Sequence, residues 1–162
     1  MKAIEWVKGK VRLIDQTRLP LEESYIEISD YEELADAISD MRIRGAPAIG
    51  VAAAYGMALG AAAIDNDLRD EFLDRLKVVS DRLAATRPTA VNLFWALERM
   101  DMVARSGKEV EEIKADLLIE ALRIDADGEE ANRRMGAYGA ELIDDGYTIL
   151  THCNAGALAT EG

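Results

Sequence analysis

The sequence predicts an α+β fold, mainly helical, on three observations. Alternating short apolar runs are confined to residues 3–28, helix-period spacing dominates the long stretch after them, and a lone β-rich run follows near the end. Val11-Arg12-Leu13-Ile14 and Tyr25-Ile26-Glu27-Ile28 belong to the first part, which reads as two or three short antiparallel strands. Ser29-Asp30-Tyr31-Glu32 has the form of a capping box, the serine oxygen facing the N–H of Glu32. The helix it opens presents Tyr31, Leu34, Ala35, Ile38 and Met41 on one stripe and stops near Arg42.

Residues 48–63 are apolar on every face, which places this helix at the centre of a bundle. A membrane span is the competing reading. The run is marginal in length, rich in alanine rather than leucine, and flanked by charge. Residues 67–85 form a surface helix with Leu68, Phe72, Leu76, Val79 and Leu83 inward. Pro88 disfavours helical geometry at Arg87, and a further helix spans about 90–105, closed by Gly107. Residues 109–125 and 129–143 read as one broken or two consecutive helices joined at Asp127-Gly128. Tyr147–Thr151 is a strand without a partner nearby in sequence. Followed by Cys-Asn-Ala-Gly, it looks like the opening of a parallel α/β unit.

Composition narrows the function. Against 19 basic residues stand 31 acidic ones, a formal charge of −12, and the hydrophobic fraction of 49% is enough for a core. That charge opposes attraction to a phosphate backbone or an anionic membrane, so neither a nucleic-acid nor a membrane partner is expected. One cysteine, Cys153, and one histidine, His152, exclude an intrachain disulfide framework and a structural zinc site, and no metal is expected. The N-terminus lacks the apolar core of a signal peptide, and a cytoplasmic protein is the reading.

Two corners could carry chemistry. Arg44-Gly45-Ala46-Pro47 precedes the buried helix, with Pro47 suited to a first helical position; free N–H groups there, joined by an arginine, would make a phosphate site. Arg87-Pro88-Thr89 repeats the design. A glycine turn with a solvated arginine has the same spacing, so the pattern alone leaves both readings open. His152 and Cys153 are adjacent, and on a strand their side chains would point to opposite faces, against a Cys-His dyad. Cys153 at a strand end before a helix would have a lowered thiol pKa; a small buried hydrophobe is the alternative. Asp15 ends an apolar strand and reads as a turn residue.

With these residues in view, the chain resembles the N-terminal part of the methylthioribose-1-phosphate isomerase family, within the wider initiation factor 2B alpha/beta/delta-like group. Four ordered blocks carry the likeness: Ile4-Glu5-Trp6 with Leu13–Pro20, Met41–Gly50, Arg87–Leu93, and Thr148–Thr160. The resemblance implies an N-terminal domain of β-sheet and helical bundle over 1–145. It makes 146–162 the start of a Rossmann-like domain, truncated at its first strand. It also implies isomerisation of 5-methylthioribose 1-phosphate to 5-methylthioribulose 1-phosphate in methionine salvage, without an organic cofactor or metal, by an enzyme that is a homodimer when full-length. Arg44, Gly45, Ala46 and Arg87 would hold the substrate and its phosphate, and Cys153 would work at the reacting carbons. The family's partner to that cysteine is an aspartate in the C-terminal domain. The sequence stops soon after the cysteine motif, so the 162-residue chain is expected to form half of the site, to expose Cys153, and to be inactive alone. Related alternatives are ribose-1,5-bisphosphate isomerase and a non-enzymatic initiation factor 2B-like regulatory or assembly subunit.

Overall fold

In the computed structural model, which describes residues 2–160, the early alternation becomes three strands: β1 (Ile4–Val7), β2 (Lys10–Ile14) and β3 (Tyr25–Ile28). They pair antiparallel in chain order, Ile4 opposite Leu13 and Leu13 opposite Ile26. Lys8 and Gly9 both have positive φ, the geometry a two-residue hairpin requires. Val11 and Leu13 are buried, whereas Arg12 lies over the Tyr25 ring on the other face, 4.2 Å from its centroid.

Five helices follow: α1 (Tyr31–Ser39), α2 (Ala46–Ala63), α3 (Arg69–Ala84), α4 (Val91–Ala104) and α5 (Val110–Ala140). The α1 cap is Asp30, not Ser29; its carboxylate accepts the Glu32 N–H at 2.7 Å. An ionised side chain one residue nearer the helix competes better for that donor than the serine hydroxyl. Leu68, expected on the inner face of α3, stands just before that helix and is exposed.

α2 is the core. Every residue from Ala48 to Ala61 is buried, and α1, α3, α4, α5 and β1 all pack on it. It is long and apolar enough by composition to cross a membrane, yet here its faces are covered by protein. Its glycines set the packing distance: a Cβ on Gly60 would overlap Val79 of α3, and one on Gly56 would come within 2.8 Å of Leu83 Cδ2. Beside Gly50, α4 approaches so closely that a Cβ there would lie 3.1 Å from the Asn92 carbonyl.

The join expected at Asp127-Gly128 does not exist; α5 runs unbroken through it. An interior glycine costs only about 1 kcal/mol, and ties on both sides hold the helix. Arg99 of α4 donates to Asp127 at 3.3 Å, and Lys2 pairs with Glu129 at 2.6 Å. One turn earlier Tyr55 Oη donates to Asp125 Oδ2 at 2.8 Å inside the bundle. Burial, first, pushes the Asp125 carboxyl up, against the Tyr55 hydrogen bond and Lys2, which favour its charge. Burial and then the neighbouring Asp125 charge raise Tyr55 as well. Beyond Asp125 no residue of α5 is buried.

The strand expected at Tyr147–Thr151 is absent among the described residues. A strand requires a partner edge, and neither edge of the three-stranded sheet pairs with this segment, whose Ile149 and Leu150 are 61% and 96% exposed. Glu161 and Gly162, the end of the segment assigned to a second domain, lie outside the described residues.

Two outcomes test this packing. Gly60→Ala gains about 1 kcal/mol of helix propensity, but Val79 is short and β-branched and cannot swing aside. Urea unfolding should therefore show a net loss of about 1–2 kcal/mol, recovered when Val79→Ala is added. The second concerns pH. Because folding raises the Asp125 pKa above its ordinary 3.8, the native state holds a proton that the unfolded chain has released. Its contribution to stability is thus whole below 3.8 and lost as pH rises through the folded value. Asp125→Asn should flatten that fall in denaturation midpoints measured across pH.

Candidate functional site

The N-terminus of α2 is assembled from three distant stretches of chain. Buried Ile43 seats the segment before it, Arg44 is exposed, and Gly45 is the N-cap at φ 99°, a conformation open to glycine. Among the described residues Arg44 forms no ion pair. Pro47 lies within the first two helical positions and needs no hydrogen bond. The N–H groups of this turn, expected to be free, are only partly so. Ala48 N–H donates to the Ala159 carbonyl at 3.3 Å, while those of Gly45 and Ala46 lack a partner among the described residues. Ala159 is 3% exposed, and a Cβ on Gly45 would overlap its backbone.

The second corner closes α3 and opens α4. Thr86 Oγ1 donates to the Leu83 carbonyl at 2.6 Å, Ala90 N–H bonds the Arg87 carbonyl at 3.0 Å, and α4 begins at Val91 without a side-chain cap. Arg87 is half-buried, and its Nη1 is buried with no hydrogen-bond partner among the described residues. Near their N-termini α2 and α4 pack closely through Gly50 and Asn92.

Cys153 is exposed, at φ 65°, in an irregular segment. A buried hydrophobe is therefore the wrong reading, and His152 is exposed as well. No helix follows Cys153 among the described residues, so the helix-terminus field expected there is not formed. The segment returns to the bundle only beyond it, through Leu158 and Ala159.

Gln16 escaped the sequence reading. It is 9% exposed, its N–H donates to the Arg42 carbonyl at 2.9 Å, and its Nε2 donates to the Leu158 carbonyl at 2.7 Å. A contact across 142 positions leaves no local signal. Its neighbour Asp15 is the turn residue that was expected, accepting from the N–H and Oγ1 of Thr17 at 3.0 and 2.6 Å. Burial works against its charge, but those hydrogen bonds and the charges of Arg18 and Arg42 hold its carboxyl below the ordinary value.

Beside the α2 corner lies a cleft of about 300 Å³ among Pro47, Gly50, Asn92, Trp95, Ile124 and Ala131. Its one lining cation, Arg99, is already bonded to Glu120 and Asp127. A larger cleft of about 570 Å³ between α4 and α5 contains no residue of either corner. Among the described residues no cluster of three His, Cys, Asp or Glu could hold a metal.

Residues 42–161 match the Initiation factor 2 subunit family, IF-2B. The whole chain is 56% identical to a methylthioribose-1-phosphate isomerase of Dehalococcoides mccartyi and 57% identical to one of Syntrophotalea carbinolica, covering 48% of each. Among solved structures it superposes on 5-methylthioribose 1-phosphate isomerase from Pyrococcus horikoshii OT3 with a TM-score of 0.92 at 46% identity. That match covers 99% of this chain and 45% of the other. It superposes on translation initiation factor eIF-2B, subunit delta, from A. fulgidus with a TM-score of 0.88 at 49% identity, covering 99% and 47%. The chain spans about half the length of the curated relatives it matches.

The Gly45–Ala159 contact is testable. Gly45→Ala should release residues 156–160, seen as faster hydrogen exchange at the Ala48 amide. Gly107→Ala, also at positive φ but with nothing within 4 Å, should leave that amide protected.

Proposed function

The chain belongs to the initiation factor 2 subunit family, and from that premise we propose that it is the N-terminal part of an aldose–ketose isomerase. The reaction converts 5-methylthioribose 1-phosphate into 5-methylthioribulose 1-phosphate in methionine salvage. The observation that carries the reading is the unpartnered, buried Nη1 of Arg87 just ahead of α4, a helix whose Asn92 packs on Gly50 of α2, where Arg44 precedes the N-terminus and the Gly45 and Ala46 N–H groups are open. A buried cationic donor without an acceptor is costly, and a phosphate oxygen is the acceptor its charge calls for.

The chemistry fits those groups. With phosphate on C1 the sugar has no free aldehyde, so the bond from C1 to the ring oxygen must break and that oxygen must take a proton. C2 then loses its hydrogen, C1 gains one, and the C2 hydroxyl gives up its proton as it becomes the carbonyl. Arg44, Arg87 and the two N–H groups hold the phosphate and orient the sugar. Cys153 acts as acid or base at C1 and C2, opposite a second acid–base group supplied by the part of the protein corresponding to the other half of the relatives' length. On this reading residues 1–145 form one domain and 146–162 begin a Rossmann-like one, Tyr147–Thr151 becoming a strand when a partner edge lies beside it. The protein works in the cytoplasm as a homodimer, on a small-molecule substrate rather than on nucleic acid or membrane.

The cleft beside α2 favours the methylthio sugar over ribose 1,5-bisphosphate. Its lining is largely apolar, and Arg99 is already neutralised by two carboxylates, leaving little to attract a second phosphate. The likeness to eIF-2B subunit delta supports a second reading, a non-enzymatic subunit that binds a phosphorylated ligand through the same corners.

Calorimetry of the 162-residue chain with 5-methylthioribose 1-phosphate separates these. Weak binding without turnover is expected, reduced about 10- to 100-fold in Arg87→Ala. Turnover by this chain alone would overturn the divided site, and equal or tighter binding of ribose 1,5-bisphosphate would overturn the substrate.

A further inference from the structure

Gln16 stands outside both arginine corners and outside the cysteine motif, yet it ties the Arg44 segment to the segment that follows Cys153. Its main chain, two residues past the end of β2, donates to the carbonyl of Arg42, two residues before Arg44. Its side chain crosses to the Leu158 carbonyl, five residues beyond Cys153. The adjacent Ala159 carbonyl is taken by the Ala48 N–H in the first turn of α2. Two consecutive carbonyls of the cysteine-bearing segment are therefore held on the phosphate corner, one by a buried side chain and one by the helix terminus.

We infer that Gln16 is a positioning residue for the isomerase reaction, its Leu158 hydrogen bond holding the Cys153 segment in register with the Arg44 corner. The inference rests on the proposed activity for its kinetic consequence and on geometry alone for the clamp itself. Three features support it beyond a buried glutamine finding a partner. The amide reaches a segment with no secondary structure, whose preceding residues Tyr147–Ala157 contain nothing buried. Gly45 lacks the side chain that would prevent Ala159 from docking at the same place. And Asp15, fixed by Thr17, holds the turn from which Gln16 reaches out. Without the clamp, the thiol's distance from the bound phosphate would be set by an exposed loop, and reaction rates fall steeply when a reacting group is misplaced by an ångström.

The test compares Gln16→Ala and the near-isosteric Gln16→Glu by hydrogen exchange in this chain and by steady-state kinetics in a protein that also carries the other half of the relatives' length. In Gln16→Ala, exchange at the Ala48 amide and through residues 153–160 should quicken by about tenfold, with protection in α3 unchanged. The kcat for 5-methylthioribose 1-phosphate should fall by about tenfold or more while KM stays within about threefold, because the lost contact positions the thiol rather than the substrate. Gln16→Glu supplies the signature a purely structural role would not produce. Its carboxylate faces a carbonyl and cannot donate, but once protonated it can, so its kcat relative to wild type should recover as pH falls toward about 5. Wild-type exchange rates in both variants would overturn the clamp. A raised KM at unchanged kcat would replace positioning with direct substrate contact. Faster exchange alongside a wild-type protein of the relatives' full length that does not turn over the sugar phosphate would uphold the clamp and refute the activity instead.

Discussion

A helix that is apolar around its whole circumference has to be enclosed, and that requirement on α2 organises everything else. Alanine and glycine dominate it, so its neighbours come close: Val79 and Leu83 of α3 fill the space above Gly60 and Gly56, and the α4 backbone fills that above Gly50. The sheet contributes Trp6, whose ring lies 5.5 Å from that of Tyr55. Enclosure also explains where the polar groups collect. Inside α2 every N–H and C=O is spent on the helix, whereas its first turn has donors that must find partners outside it. The Ala159 carbonyl satisfies one of these, and the Ala46 N–H has no partner among the described residues.

The long α5 shows how polar contacts extend this arrangement beyond the core. Its inner residues recur at helical spacing, but two of the positions that face inward are acids. Glu120 is held by Arg99 and Arg123, and Asp125 by Tyr55 with Lys2 at 4.0 Å. Burying such groups stabilises little by itself, because desolvation offsets much of the attraction. They fix rotation and register instead, so the helix leaves the bundle at a defined angle before its exposed half begins.

Much of this was legible from periodicity. The early strands, read as two or three, the buried helix and the face of α3 from Phe72 onward follow from apolar spacing, since burial is what selects that spacing. What failed depended on competition or on distance. Ser29 and Asp30 both offer an oxygen to Glu32, and only the local backbone decides between them. Gly128 signals a break that Arg99 and Lys2 prevent from elsewhere in the chain. Tyr147–Thr151 has strand composition, but pairing needs a neighbour, and composition does not supply one. In the site, the arginine corners were visible as motifs while the packing of α2 on α4 next to them was not, because it is made by the close approach of Gly50 to Asn92. Gln16 could not be singled out, its partner lying at the far end of the chain.

The arginines themselves separate scaffold from site. Arg82 bridges Glu32 and Asp36 between α3 and α1, at 2.7 and 2.5 Å, and Arg99 spans Glu120 and Asp127. Both are saturated by carboxylates, in a chain with an acidic surplus of 12 that makes such partners easy to find. Arg44 and Arg87 are the exceptions that matter: amid this abundance neither forms an ion pair among the described residues. Arg69 also has an unpartnered buried nitrogen, Nε, but it opens α3 and belongs to neither corner. Lys8, Arg75 and Arg134 likewise form no ion pair among the described residues, so what sets the two corners apart is their place: Arg44 directly precedes the N-cap of α2, whose Ala46 N–H is open, and Arg87 stands just ahead of α4 with a buried, unpartnered Nη1. On the proposed function the acidic surplus is consistent with that assignment, because it makes the rest of the surface a poor host for phosphate.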